Sequence, residues 1–239
     1  MSEAMEKLRK SGEARWAGFE LDPAHTALLV VDMQRYFLSA DSPFSRFLNG
    51  VVEGYGDWYL GRVEETVVPN LHRLLQAFRG ADCPVLWTRV ASQRPDGSDL
   101  SGALRRLNER ASASQMAPPV PWIEDPWAAI RPDLEPAPGE LMVDKTTYGS
   151  FASTDLQGTL KKMGITSLVL CGVVTNVCVE TSAREAVDRG LSAVIVHDGC
   201  AAFSPEVQEG NLMSYATVFG PVRSTDEVIE MLQGPGSAR

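Results

Sequence analysis

The feature that most constrains the fold is a series of short, continuous apolar runs along the chain. The first run, residues 26–32, contains Ala-Leu-Leu-Val-Val and ends in an acid, Asp32. Such a run is typical of a strand that is buried on both faces, as in a parallel sheet. Similar runs predict further strands at residues 84–90, 140–143, 167–171 and 192–196, with a weaker sixth at 217–219.

Helical patterns lie between these runs. From residue 64 to residue 78 the apolar side chains recur at i, i+3 and i+4, which predicts an amphipathic helix. Further helices are predicted at residues 155–163, 176–189 and 206–216, where glycine or proline stands at a boundary. Because strands and helices alternate, the predicted fold is α/β, a three-layer α-β-α, doubly wound arrangement around a mainly parallel six-stranded sheet.

The length of 239 residues suits one such domain, and no linker divides the chain. We assign residues 21–239 to a single domain. Residues 1–20 are polar and are predicted to form a mobile N-terminal arm or an oligomer contact. Residues 91–138 hold too much loop for a simple crossover, so they are predicted to be a lid or a dimer segment with a short helix near residues 104–109.

The composition excludes several kinds of partner. The formal net charge is −9 and the pI is about 4.9, and such an acidic surface repels nucleic acid and anionic lipid. The N-terminus lacks the apolar core of a signal peptide, and no run reaches the ~18 apolar residues of a membrane span, so a cytoplasmic protein is expected. The cysteines lack CxxC spacing and are expected to be free thiols: Cys83, Cys171, Cys178 and Cys200.

Three reactive side chains are predicted to meet at one edge of the sheet. In open α/β sheets the ligand binds beyond the carboxyl ends of the strands. Asp32 ends the first strand, Lys145 follows the third by two residues, and Cys178 opens the helix after the fourth. Taken singly, each has a structural alternative: the aspartate could cap a helix, the lysine could be a solvated loop charge, and the cysteine could be a small buried hydrophobe.

Their combined chemistry is that of a nucleophilic hydrolase. A thiol at a helix N-terminus is expected to have a lowered pKa, because it feels the positive end of the helix dipole. An ammonium stabilises the thiolate, and a carboxylate can accept the thiol proton and return it to a leaving amine. Backbone N–H groups of the same turn could hold an oxyanion. His197, at the end of another strand, is an alternative partner for Cys178.

Three segments, VVDMQRYF, DKTTYGSF and GVVTNVCVETSAREAVDRG, resemble the isochorismatase-like cysteine hydrolases. That superfamily includes N-carbamoylsarcosine amidohydrolase, ureidoacrylate amidohydrolase and nicotinamidase. The resemblance covers about residues 24–204 and implies a catalytic triad of Asp32, Lys145 and Cys178. It also implies a cis peptide between Val173 and Val174, an oxyanion hole formed by the backbone N–H groups of Val174 and Cys178, and a homodimer or homotetramer.

Two departures from the relatives narrow the chemistry. Nicotinamidases resemble one another in an Asp-x-His metal site after the second strand, whereas this chain has Trp87-Thr-Arg89 there. Its three histidines show no metal-ligand spacing, so no metal and no other cofactor are predicted. The siderophore-type isochorismatases, which hydrolyse a vinyl ether, lack a cysteine where Cys178 stands, so its presence favours amide chemistry.

The predicted function is hydrolysis of a C–N bond in a small amide, carbamoyl or ureido compound through a cysteine thioester. Phe37, Trp87 and Tyr148 are predicted to line the substrate pocket, while Arg35 and Arg89 leave room for an acidic substrate. One alternative is vinyl-ether hydrolysis of the isochorismatase type, and another is a non-catalytic, ligand-binding relative. The sequence leaves open whether the leaving group is ammonia or a larger amine.

Overall fold

A six-stranded parallel sheet forms the centre of the computed structural model, which describes residues 3–51, 54–113 and 120–233. The strands run in the order β3-β2-β1-β4-β5-β6 and each pairs in parallel with its neighbour. Their bounds are β1 Thr26–Val31, β2 Val85–Val90, β3 Leu141–Lys145, β4 Ser167–Val173, β5 Ser192–Ala201 and β6 Val222–Arg223. This confirms the predicted α/β class and the parallel sheet.

Helices connect the strands. In the described ranges they are α1 Glu3–Arg15, α2 Arg35–Leu38, α3 Pro43–Val51, α4 Tyr55–Arg62, α5 Val68–Gly80, α6 Gly102–Ala113, α7 Leu156–Lys162, α8 Glu180–Asp188, α9 Pro205–Val218 and α10 Thr225–Gln233. Single π-helical turns, Val63–Val67 and Thr175–Val179, lead into α5 and α8. Each predicted helix therefore exists, with bounds that differ by a few residues.

The strand order reverses between β1 and β4: β2 and β3 lie on one side of β1, and β4, β5 and β6 lie on the other. The candidate site lies at this switch point. Every residue of β1 is buried, as the uninterrupted apolar run predicted. Gly172, near the end of β4, has φ +111°, and a Cβ there would lie 2.1 Å from the carbonyl oxygen of Val31. Only glycine permits so close an approach of the two strands. Ligands bind at such a switch point, beyond the carboxyl ends of the strands.

The predicted sixth strand at residues 217–219 is wrong, because these residues belong to the end of α9 and to the turn that follows it. Ser204 caps this helix at Val207 N, and Pro205 stands in its first turn. Near its end Tyr215 is fully buried and donates to the carbonyl of Ala193 in β5. That tertiary anchor keeps the segment helical, so the edge strand forms later, at β6.

The N-terminal segment contains a helix and packs on its own chain, and its role as an arm stays a prediction. The Trp16 indole donates to the carbonyl oxygen of Ala216 in α9 at 2.7 Å. An oligomer contact at this segment stays a prediction, as does a lid or dimer role for residues 91–138. The described part of the latter contains α6, longer than the helix expected at 104–109, and two short 3-10 turns, Pro126–Ala128 and Pro132–Leu134.

Candidate active site

Asp32 lies immediately after β1 and is fully buried. Its φ is +51°, a left-handed conformation that is strained for a residue other than glycine and persists only where the surroundings enforce it. Thr88 of β2 enforces it: the backbone N–H of Asp32 donates to the carbonyl of Thr88, and the Thr88 hydroxyl donates to Asp32 Oδ1 at 2.7 Å. The carboxylate is therefore aimed across the strand ends, and it does not cap α2.

Lys145 is the last residue of β3, rather than two residues beyond it, and none of its side chain is exposed. Its Nζ donates to Asp32 Oδ2 at 2.8 Å and to the carbonyl oxygens of Thr147 at 3.1 Å and Tyr148 at 2.8 Å. Burial lowers the pKa of Lys145, but interactions with Asp32 and Cys178 outweigh burial, so the net pKa is raised. The lysine is a buried ammonium, and not a solvated loop charge.

Cys178 lies in the π-helical turn before α8 and is 5% exposed. Its thiol interacts electrostatically with both Asp32 and Lys145, which places the sulfur beside this ion pair. Burial raises the pKa of the Cys178 thiol, and the Asp32 carboxylate raises it further, while Lys145 opposes both. The expectation of a lowered pKa is therefore wrong, because desolvation exceeds any gain from the helix dipole and the ammonium. The resting group is a thiol.

The turn that carries Cys178 is held from several sides. The peptide bond between Val173 and Val174, which leads into this turn, is cis. The Thr175 hydroxyl donates to Gln208 of α9 at 2.7 Å. The Ser182 hydroxyl donates to the carbonyl oxygen of Cys178 at 2.6 Å. The sulfur thus has a defined position, while the role of the Val174 and Cys178 N–H groups as an oxyanion hole stays a prediction.

Of the three predicted pocket residues, Tyr148 lies near this centre, because its carbonyl oxygen accepts from Lys145. Tyr148 is half-buried, and burial followed by the charge of Cys178 raises its phenol pKa, with Arg106 opposing. Phe37 is buried in an aromatic cluster, with ring centroids 4.9 Å from Phe44 and 5.1 Å from Tyr36. Phe44 in turn contacts the ring of Tyr59 in α4.

The structure does not bring Trp87 to the site. Successive side chains of a strand point to opposite faces, and the neighbouring Thr88 points at Asp32. Trp87 instead is fully buried on the other face, where its indole donates to Glu140 at 2.7 Å, and Glu140 pairs with Arg79 of α5. Trp87 is therefore a residue of the core and does not line the site.

The arginines and the histidine singled out in the sequence also have other partners. Arg89 forms a double hydrogen bond with Asp144, and Arg35 lies over the ring of Trp127 at 5.4 Å. His197 borders a groove beside α1, α9 and α10. The structure therefore pairs Cys178 with Asp32 and Lys145, and not with His197.

Sequence reasoning missed Tyr59 of α4. Its side chain is fully buried, and its ring lies 5.9 Å from Phe44. Burial raises its phenol pKa, and electrostatic interactions with Cys178 and Asp32 add to that effect. No motif marks this residue, because it belongs to a helix far from the others in sequence.

Within the described ranges, no group of three histidine, cysteine or acidic side chains is placed to hold a metal ion. No helix there is both long enough and apolar enough to span a membrane. The candidate site consists of the Asp32 carboxylate, the Lys145 ammonium paired with it, and the neighbouring Cys178 thiol.

This doubly wound fold, with those three groups buried together at its switch point, defines a hydrolase of the α/β class. The sequence matches the isochorismatase domain over residues 26–227. The chain belongs to the isochorismatase family of hydrolases, which confirms the family resemblance.

Named relatives and solved structures extend this finding. The chain is 30% identical over 218 residues to the ureidoacrylate amidohydrolase RutB of Methylobacterium radiotolerans, covering 87% of this chain and 79% of that protein. It is 28% identical over 208 residues to nicotinamidase 3 of Arabidopsis thaliana, covering 87% and 89%. A cysteine hydrolase from Pseudomonas syringae pv. phaseolicola 1448A has a similar structure, with a TM-score of 0.74, 30% identity, and coverage of 90% and 95%.

Proposed function

We propose that the protein hydrolyses a C–N bond in a small amide, carbamoyl or ureido compound through a thioester on Cys178. The observation that carries this proposal is the burial of Cys178 beside the Asp32–Lys145 ion pair, with which its thiol interacts electrostatically. The names of the relatives, an amidohydrolase and a nicotinamidase, support the type of bond. The depth of the site favours a small-molecule substrate.

The raised pKa of the thiol determines how the first step would proceed. Because the thiolate is not the resting form, the sulfur loses its proton to Asp32 as it attacks the substrate carbonyl carbon. Lys145 stabilises the negative charge on the sulfur during this transfer. The carbonyl oxygen becomes an oxyanion, for which the backbone N–H groups of Val174 and Cys178 are the proposed donors.

The second half of the reaction returns the proton. The tetrahedral intermediate collapses, the C–N bond breaks, and the leaving nitrogen takes the proton from Asp32. Asp32 then accepts a proton from water as the water attacks the thioester. The C–S bond breaks, Cys178 regains a proton, and the products are a carboxylic or carbamic acid and an amine or ammonia.

The test combines a substrate panel with mass spectrometry of the intact protein. Primary amides, N-carbamoyl amino acids and other ureido acids are offered to the wild type and to Cys178→Ala. We expect hydrolysis of at least one class, an acyl adduct on Cys178, and a loss of about 10³-fold or more in the variant. Cys83→Ala is the matched control, because Cys83 is a buried thiol near the carbonyl of Pro23, away from the site.

One observation keeps a second function in view. A protonated, buried thiol is also what a bystander would show, and Asp32 could then act as the acid in vinyl-ether hydrolysis. That function predicts activity that survives Cys178→Ala and disappears in Asp32→Asn. Full amide hydrolysis by Cys178→Ala, or an adduct on another cysteine, would overturn the thioester proposal.

A further inference from the structure

We infer that Tyr59 forms a hydrogen-bonding subsite for the substrate, in which its hydroxyl binds a polar atom of the reacting group beside Cys178. This inference rests on the proposed function and adds to it a residue that determines which substrates fit.

Helix α4 is fixed across the carboxyl edge of the sheet by Arg62. The guanidinium donates to the carbonyl oxygens of Cys200 at 2.9 Å and of His197 at 2.7 Å, both in β5. Residues three apart lie on the same face of a helix, so Tyr59 shares the face of Arg62 that is turned toward the strand ends. Tyr59 is accordingly fully buried, and its phenol feels the charges of Cys178 and Asp32.

The ring of Tyr59 is held between two other aromatic rings. Its centroid lies 5.9 Å from that of Phe44, at 70°, and 6.4 Å from that of Phe203, at 44°. These edge and tilted contacts are favourable geometries for aromatic pairs. Because the ring is packed on these sides, the direction of its hydroxyl is largely fixed. Burial also raises the phenol pKa, so the group is a neutral O–H that can donate and accept.

The hydroxyl of Tyr59 has no hydrogen-bond partner among the described residues, although it is buried. The nearby polar groups are already engaged, since Asp32 accepts from Thr88 and Lys145, and Lys145 also donates to two backbone carbonyls. An unpaired buried hydroxyl costs free energy that phenylalanine would avoid. A bound substrate is the partner that would offset this cost by forming a hydrogen bond with the Tyr59 hydroxyl.

Tyr215 shows what a purely structural buried tyrosine looks like in the same protein. It is also fully buried, and its hydroxyl donates to the carbonyl oxygen of Ala193 at 2.8 Å. Tyr215→Phe is therefore the matched control for Tyr59→Phe. Both variants remove one buried hydroxyl, but only the control removes a hydrogen bond within the protein.

The experiment measures thermal unfolding and the alkylation of Cys178 in the wild type and both variants. Iodoacetamide brings a primary amide to the sulfur, whereas methyl methanethiosulfonate brings no amide. We expect Tyr59→Phe to unfold at the same temperature as the wild type or higher, and Tyr215→Phe to unfold lower. We expect iodoacetamide to modify Cys178 about tenfold more slowly in Tyr59→Phe, with the thiosulfonate rate unchanged and with both rates unchanged in Tyr215→Phe.

Several results would overturn the inference. A lower unfolding temperature for Tyr59→Phe would show that the hydroxyl has a partner in the protein. Equal effects on both reagents, or none on either, would show that Tyr59 acts on the thiol or only packs. Failure of the proposed function is a separate result. It would appear as a wild-type protein that hydrolyses no amide, whereas the ratio of the two alkylation rates can be measured on the Cys178 thiol without any turnover.

Discussion

The buried pair of Lys145 and Asp32 gives the most decisive prediction about stability. Lys145→Met keeps most of the side-chain volume but leaves a fully buried carboxylate without its charged partner. It also leaves the carbonyl oxygens of Thr147 and Tyr148 without their donor. Removal of one member of a buried ion pair costs roughly 3–5 kcal/mol. We therefore expect a loss of that size, a large part of the roughly 5–15 kcal/mol that stabilises a typical domain.

A double-mutant cycle measures the interaction itself. Urea unfolding is followed for Lys145→Met, Asp32→Asn and the double variant, and the free energies of unfolding are compared. The double variant no longer holds an unpaired buried charge, so its loss should be smaller than the sum of the single losses by at least about 1.5 kcal/mol. The interaction between the two side chains would then be the main source of the penalty.

The chain offers a matched control on two neighbouring strands of the same sheet. Arg89 and Asp144 form an ion pair between β2 and β3, but 23% and 30% of their side chains are exposed. The same cycle at this partly solvated pair should give a coupling free energy below about 1 kcal/mol. Additive losses at Lys145 and Asp32, or a loss in Lys145→Met no larger than in Arg89→Met, would refute the view that the buried pair is a coupled unit.

Three further predictions follow from single positions. Gly172→Ala should unfold at a much lower temperature or fail to fold, because its Cβ would overlap the carbonyl of Val31 at 2.1 Å and its φ is +111°; a normal melting temperature would contradict this. Burial raises the pKa of Glu140, but N–H donors that include Arg79 outweigh it and lower the net pKa. The stability that Glu140 contributes relative to Glu140→Gln should thus be full above the ordinary glutamate pKa of 4.5 and be lost as the pH falls through the lowered pKa, as measured by urea unfolding at several pH values. Alkylation of Cys178 should keep rising beyond pH 9 because its pKa is raised, and a plateau at neutral pH would show a thiolate.

Much of the fold and part of the site follow from the sequence alone. Strands buried on both faces must be apolar along their whole length, so runs such as residues 26–31 identify themselves. Parallel strands present their carboxyl ends at one edge, so Asp32, Lys145 and Cys178 could be placed together although they are far apart in the chain. These conclusions depend on local pattern and on chain connectivity, and both are properties of the sequence.

The tertiary structure decided what depends on packing between distant segments. Residues 217–218 have strand-like side chains, yet they are helical because α9 is anchored to β5 by Tyr215. Trp87 and Tyr59 are both aromatic, but their opposite environments follow from the face of the sheet and from the course of α4. The pKa of Cys178 is raised because burial outweighs the nearby ammonium, and depth of burial is a property of the assembled protein that no sequence pattern records.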